Sequence, residues 1–275
     1  MKKIISLAVL IIASLGILQA QTDTMYLHLK GGTIAAFPVK NIDSIVFYTA
    51  VDTTPKPLTD IDGNVYRIVT IGSQTWMKDN LRTTKYRNGD TIGTTDPATK
   101  SISSEISPKY QWSYDGNESN VDVYGRLYTW HTMSDSRNVC PMGWHVPADS
   151  DWVKMFTFLH DSGYVYDGSS PANINYSITK SMAAKSGWSA SSGVGNPGNT
   201  DYPDYIDKSG FSALPGGYRN VTGDFSSILE DARWWSSTEV GALEGRMYII
   251  YFNDSDLKTY SAHKNAGMYI RCIHD

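Results

Sequence analysis

Cysteine is scarce: the 275 residues hold two, Cys140 and Cys272. Two cysteines cannot make a structural zinc site unaided, and no histidine spacing supplies the missing ligands. The six histidines are scattered, none paired with another at i, i+4. No Gly-x-Ser-x-Gly elbow, phosphate loop or dinucleotide fingerprint occurs, so those chemistries lose their usual carriers. Basic runs and basic-aromatic patches are absent as well. With 24 Lys+Arg against 28 Asp+Glu, nucleic acid is excluded as an expected partner. Beyond the first twenty residues no apolar run is long enough to cross a bilayer.

Those first twenty residues read as an address. Lys2 and Lys3 form a basic start, Ile4 to Leu18 is mostly apolar, and Leu18-Gln19-Ala20 ends on a small residue. A secretory signal cleaved after Ala20 is expected, since the run falls short of the roughly 20 apolar residues of a membrane span. Gln21 stands where a lipid-modified protein would need cysteine, so no lipid anchor is expected at this end. Removing Lys2 and Lys3 leaves a formal charge of about −6. In an exported chain the even cysteine pair points to one disulfide, with two buried thiols as the alternative.

Residues 21–49 read as a small β unit. Tyr26, Leu27 and Leu29 lead to the turn pair Gly31-Gly32, Ile34 to Val39 returns, and Ile42, Ile45, Val46 and Phe47 form a third apolar piece. Residues 50–59 carry two prolines and read as a stiff linker. The main domain is expected over 60–275.

The domain is organised around Cys140–Trp152, CPMGWHVPADSDW. Pro147 opens a helix whose apolar stripe is Trp152, Met155, Phe156 and Leu159, with Asp149 and Asp151 at its start and Gly163 at its end. Before it, Val65 to Ile71 and Gln74 to Met77 predict a hairpin across Gly72-Ser73. Residues 80–109 read as loop. Tyr110, Trp112 and Tyr114 alternate as one strand face, read as core in preference to an exposed strip. Leu127, Trp130 and His131 predict a helix running to about Ser134. Ile178 to Lys185 is a weaker helix. The end of the chain reads as an antiparallel meander: 211–218, 234–239, 247–252, 257–263 and 267–273.

Asp60-Ile61-Asp62-Gly63-Asn64 and Asp115 to Asp122 imitate calcium loops but lack the glycine at the sixth place and the closing glutamate, so they read as turns. Ser189 to Ser209, SASSGVGNPGNTDYPDYIDKS, is different. A long irregular stretch inside a compact domain is often functional. Its mixture of aromatics with Asn and Asp suits contact with a sugar or peptide. Trp188, Asn196, Asn199, Asp201, Tyr202, Asp204 and Tyr205, with Trp235 from a late strand, are the candidate ligand contacts. The alternative is a solvated loop with its aromatics tucked inward.

In order along the chain, DGNVYRIVTIGSQTWMKDNLR, YGRLYTW, CPMGWHVPADSDW, GFSALPGGYR, WWSST and IRCI resemble the Fibrobacter succinogenes major paralogous domain, over about Asp60 to Ile273. The resemblance implies an exported or surface protein of the Fibrobacter and Bacteroides type. The order of elements is similar to the C-type lectin fold: α+β, two main helices, a long loop, a late antiparallel sheet, and a terminal-strand cysteine bridged to a helix region. Formylglycine-generating enzymes share a related fold. The calcium-dependent sugar triplet of C-type lectins is replaced by Asn196-Pro197-Gly198, and the later Trp-Asn-Asp by Trp235-Ser236-Ser237. Both changes remove calcium ligands. The copper-binding cysteine pair of some formylglycine enzymes is not matched either, because Cys140 and Cys272 read as structural.

His145 reads as a hydrogen-bonded structural histidine in preference to a general base. No catalytic residue, cofactor or metal is assigned. The expected function is an exported, non-catalytic binding or adhesion module for a glycan or a surface protein. Two alternatives stand beside it. One is a carbohydrate hydrolase using Glu239 with Asp231 or Asp254. The other is a structural subunit of a surface assembly.

Overall fold

The computed structural model describes residues 24–28, 34–39, 57–170 and 172–275. The expected signal, the Gly31-Gly32 turn, the third apolar piece and most of the linker lie outside them. The chain separates into two compact units, one up to Pro55 and one from Lys56 on. In the first, β1 (Thr24–His28) and β2 (Ile34–Pro38) pair antiparallel, with Tyr26 opposite Ala36.

The second unit is α+β. Leu58–Thr59 (β3) pairs with Val65–Tyr66 (β4) around the aspartate turn. Asp60 accepts from the backbone N–H groups of Asp62 and Asn64 and from the Tyr66 hydroxyl, so its carboxylate is consumed by its own turn. Ile68–Ile71 (β5) and Gln74–Met77 (β6) form the expected hairpin, turning at Gly72 with φ +60°. Residues 80–109 lack helices and strands.

Gln111–Trp112 (β7) is only two residues long. Trp112 and Tyr114 are buried, as expected of core, but Tyr114 belongs to a 3-10 turn at Tyr114–Gly116 and not to the strand. A one-turn helix, Val121–Tyr124 (α1), precedes Gly125. The helix expected across YGRLYTW is shorter than its spacing predicts. Leu127–Tyr128 is a strand (β8) paired with β7, and only Trp130–Met133 is helical (α2), started by the Thr129 side chain. Leu127 and Tyr128 are both buried, which a strand covered on both faces allows as readily as a helix.

The organising stretch forms the expected helix, two residues after Pro147, and adds a short strand that was not expected. Trp144–His145 (β9) leads to Asp149–Asp161 (α3), which buries Trp152, Met155, Phe156 and Leu159. The Asp151 carboxylate accepts from the Ala148 backbone N–H, one of the donors a helix start leaves unpaired. Trp152 is the hub: its ring lies 4.9 Å from Trp76, 4.9 Å from Tyr248, 5.8 Å from Phe156 and 6.1 Å from both Phe211 and Trp234. The weaker helix is Thr179–Met182 (α4). α3 is therefore the one α-helix longer than four residues among those described, where two main helices were expected.

The late sheet contains Gly216–Arg219 (β10), Phe225–Ile228 (β11), Asp231–Glu239 (β12), Glu244–Tyr251 (β13) and Lys258–His263 (β14), in the order β11-β10-β12-β13-β14. It is mixed and not a pure meander. Two reversals carry β12 back to the free side of β10, so those two strands run parallel. Residues 267–272 cross the core through isolated bridges, and only Ile273–His274 (β15) is a strand. β15 inserts between β6 and β9, Ile273 facing both Trp76 and His145. The expected disulfide joins Cys140 to Cys272 beside this insertion, with a Cα separation of 5.9 Å.

Irregular backbone is held by buried cations. Arg219 donates to the carbonyls of Ala98, Lys100 and Asn220, with its guanidinium 4.1 Å from the Trp112 ring. Fully buried Arg271 donates to Asn80 Oδ1 and to the carbonyls of Phe211 and Ser212. Burial lowers their pKa values to about 10 and about 9. Lys180 is the third such cation.

Candidate functional site

The sequence placed the site in 189–209, and the structure shows how that stretch is held. Gly198 N–H donates to Phe252 O at 2.8 Å and Ser189 N–H to Leu229 O at 2.7 Å, fixing the loop to the ends of the late sheet. Inside it stands the Lys180 ammonium, delivered by α4 with no exposure at all. Its Nζ lies 3.0 Å from Asn196 O, 2.8 Å from Asn199 O and 2.7 Å from Asp201 Oδ1. Asp201 Oδ2 accepts from Gly195 N–H at 2.8 Å. Asn199 Oδ1 accepts from Asp201 N–H and its Nδ2 donates to Gly193 O, while Asn196 Nδ2 donates to Ser191 Oγ. Three of the predicted ligand contacts, Asn196, Asn199 and Asp201, are thus brought together, but their polar atoms build the loop.

What the loop presents outward is tyrosine. Gly163, with φ +79°, turns the chain out of α3. Val165 then enters the core; Tyr164 stays half-buried with one side against that core and Phe158, and Tyr166 stays half-buried beside it. Tyr166 meets exposed Tyr202 with ring centroids 4.9 Å apart in an edge-to-face arrangement. Lys208 Nζ sits 4.1 Å from the Tyr205 centroid and 5.5 Å from that of Tyr164, and donates to Gly163 O at 2.8 Å. Two rungs result, Tyr166–Tyr202 and Tyr164–Lys208–Tyr205. Asp167 and Asp204 are exposed beside them in sequence. Hydrogen bonds from Ser169 hold the Asp167 carboxyl below the usual range, and burial with nearby Asp167 raises the Tyr166 phenol. At neutral pH the first is therefore an acceptor and the second a neutral hydroxyl. Gly195 fits because any Cβ there would lie 2.1 Å from the Tyr166 ring.

Of the other predicted contacts, Tyr202, Asp204 and Tyr205 belong to this face. Trp188 does not stand free: it is half-buried against the main core. Trp235 is a correction. It is fully buried, its Nε1 donating to Tyr128 O at 2.8 Å, because the strand that carries it is covered on both faces. Tyr164, Tyr166 and Lys208 were missed. The alternation in Gly163-Tyr-Val-Tyr, directly after a helix stop, was the available signal.

Two clefts place histidines beside acidic groups. One, of about 310 Å³, includes Gln74, His145, Asp151, His274 and Asp275. His145 lies between two carboxylates in an open setting, Nδ1 2.7 Å from Asp275 Oδ1 and Nε2 3.5 Å from Asp151 Oδ2. The other, of about 360 Å³, holds Glu105, His131, His263, Lys264 and Asn265. Burial first, then Lys264, lowers the His131 pKa, and Lys264 is bound to Glu239 and Ala242 O. Glu239 and Asp231 end opposite ends of the nine-residue β12, about 26 Å apart at about 3.3 Å per residue. Asp254 follows the end of β13 that pairs with Asp231. Glycosidase carboxyls stand about 5–9.5 Å apart, so neither pair can act together. Among the described residues no group of three or more His, Cys, Asp or Glu is placed to hold a metal ion, and no helix is long and apolar enough to cross a membrane.

The second unit is thus an α+β domain with a tyrosine face mounted on a lysine-centred loop. Residues 69–274 match the model of the Fibrobacter succinogenes major domain, and the chain belongs to that family. No curated protein and no solved structure matches it.

Proposed function

We propose that the protein is an exported, non-catalytic binding module whose tyrosine face captures glycans at the cell surface. The observation that carries this reading is the pair of rungs, Tyr166–Tyr202 and Tyr164–Lys208–Tyr205, half-open to solvent on backbone that is pinned from within. A pyranose offers an apolar C–H face with a rim of hydroxyls. Tyrosine offers the complement, a flat apolar ring with a polar tip, at little entropic cost. Asp167 and Asp204 can accept sugar hydroxyls and oppose uronic or sulfated sugars, so neutral glycans are the favoured class.

Export rests on the amino-terminal signal read from the sequence, supported by the disulfide. The main domain is proposed to be a C-type-lectin-like variant. In favour stand the terminal strand inserted between β6 and β9, the disulfide beside it, and the long loop anchored at the late sheet.

A glycan array with neutral and acidic members tests the function. Retention of neutral glycans, lost in Tyr166→Ala and Tyr202→Ala, is the expected result. Capture of proteins and no glycan would replace the ligand class. Reducing sugar released from plant or mucosal polysaccharide would overturn the non-catalytic reading.

A further inference from the structure

The tyrosine face is only as ordered as the loop beneath it, and that loop is gathered around one charge. The three oxygens on Lys180 Nζ come from a six-residue span, Asn196 to Asp201, and lie 2.7–3.0 Å away. Two of the ammonium's three N–H donors go to the carbonyls of Asn196 and Asn199, and the Asp201 carboxylate completes the shell as a contact ion pair. Two backbone carbonyls and one carboxylate form the kind of oxygen set that a hard cation takes. The cage closes on itself through Asp201 to Gly195 N–H and through Asn199 to Gly193 O.

We propose that Lys180 is the resident cation of this cage, supplied in cis, and that it positions the tyrosine face so that ligand capture there needs no divalent metal. The inference rests on the binding reading of that face. Its path to the face is short. Asp201 is followed by Tyr202, whose backbone is left-handed at φ 46°, ψ 55°. A bulky residue holds that conformation only where its surroundings impose it. On the other side of the cage, Gly195 brings the loop against the Tyr166 ring. Tyr202 thus follows directly the residue that pairs with the ammonium, and Tyr166 meets Gly195, whose N–H donates to that same Asp201 carboxylate. Lys180 touches no ligand in this scheme and is a positioning residue. A charge so deep is tolerated because Asp201 neutralises it, and removing either partner would strand the other.

Hydrogen–deuterium exchange of the whole protein tests the cage without any ligand. In the wild type, protection of 193–202 should be the same in EDTA and in excess calcium chloride. Lys180→Ala should speed exchange there by about ten- to a hundredfold, the effect of losing a charge-assisted hydrogen bond, while α3 stays protected. Added ethylammonium should restore protection in that variant, and sodium chloride at equal ionic strength should not. If Lys180→Ala does not fold, Asp201→Asn takes its place, with deprotection confined to the same segment. Unchanged exchange in the variants would overturn the proposal. So would a wild-type loop deprotected by EDTA, or failure of ethylammonium to rescue a folded Lys180→Ala. The glycan array repeated in EDTA reads the functional half: binding abolished by chelator overturns metal independence. An array with no binder at all would sink the ligand reading and leave the cage standing.

Discussion

Trp234 and Trp235 are consecutive in β12 and belong to different cores. Trp234 packs with Trp152 and Phe211 and donates through Nε1 to Asn80, while Trp235 lies with the disulfide cluster and donates to Tyr128 O. Successive side chains of a strand point to opposite faces. β12 is thus the partition between two hydrophobic layers, each closed by part of the organising stretch: Trp152 on one side, Cys140 and Trp144 on the other.

The hub makes the first expectation. Trp152→Ala removes contacts with five aromatic rings and should cost about 3–5 kcal/mol. Urea denaturation followed by tryptophan fluorescence measures it. A loss near that of a surface substitution would mean that Trp152 is not the centre of the core.

Cys272→Ser should cost about 2–5 kcal/mol, since the bridge spans 132 residues and closes a large loop of the unfolded chain. Non-reducing peptide mass spectrometry should recover Cys140 linked to Cys272. Two free thiols in the native protein would contradict the assignment.

The tyrosines and Trp188 should separate. Tyr202→Ala should weaken glycan binding at least about tenfold while stability changes by no more than about 0.5 kcal/mol, as for an exposed side chain. Trp188→Ala should instead lower the melting temperature, because the ring packs on the main core. Thermal melts beside binding isotherms decide it; equal destabilisation by both would make Tyr202 a core residue.

Acid should unfold the protein partly through Asp135. Arg137 bonds to this carboxylate from its backbone and side chain, Lys109 lies 2.6 Å away, and together they hold its pKa well below the ordinary aspartate value. A depressed folded-state pKa means that the unfolded chain takes up the proton first. The contribution is therefore whole above about pH 4 and is lost as pH falls further, through the folded value. Asp135→Asn should lower the melting temperature at neutral pH and flatten its decline between about pH 4 and 2. Parallel melting curves for both proteins would refute the assignment.

Much of the fold was legible in local pattern. The stripe Trp152, Met155, Phe156, Leu159 needs only the 3.6-residue period to declare a helix with one buried face, and Gly163 marks its end. Gly72-Ser73 between β-branched runs declares a hairpin. YGRLYTW misled because strands and short helices buried on all sides have no polar face to set the period. The same blindness put Trp235 among the ligand contacts.

By itself the sequence determined the family, the long helix, the first hairpin, the cysteine pair and the irregular stretch that carries Tyr202 and Tyr205, since each is written in near-neighbour spacing or in residue type. Only the tertiary structure decided which polar side chains of that stretch look inward. Lys180 precedes Asp201 by twenty-one residues, and Tyr164 and Tyr166 precede Tyr202 and Tyr205 by more than thirty-five. A charge buried among carbonyls and a pair of facing rings depend on through-space distance, which no local periodicity encodes.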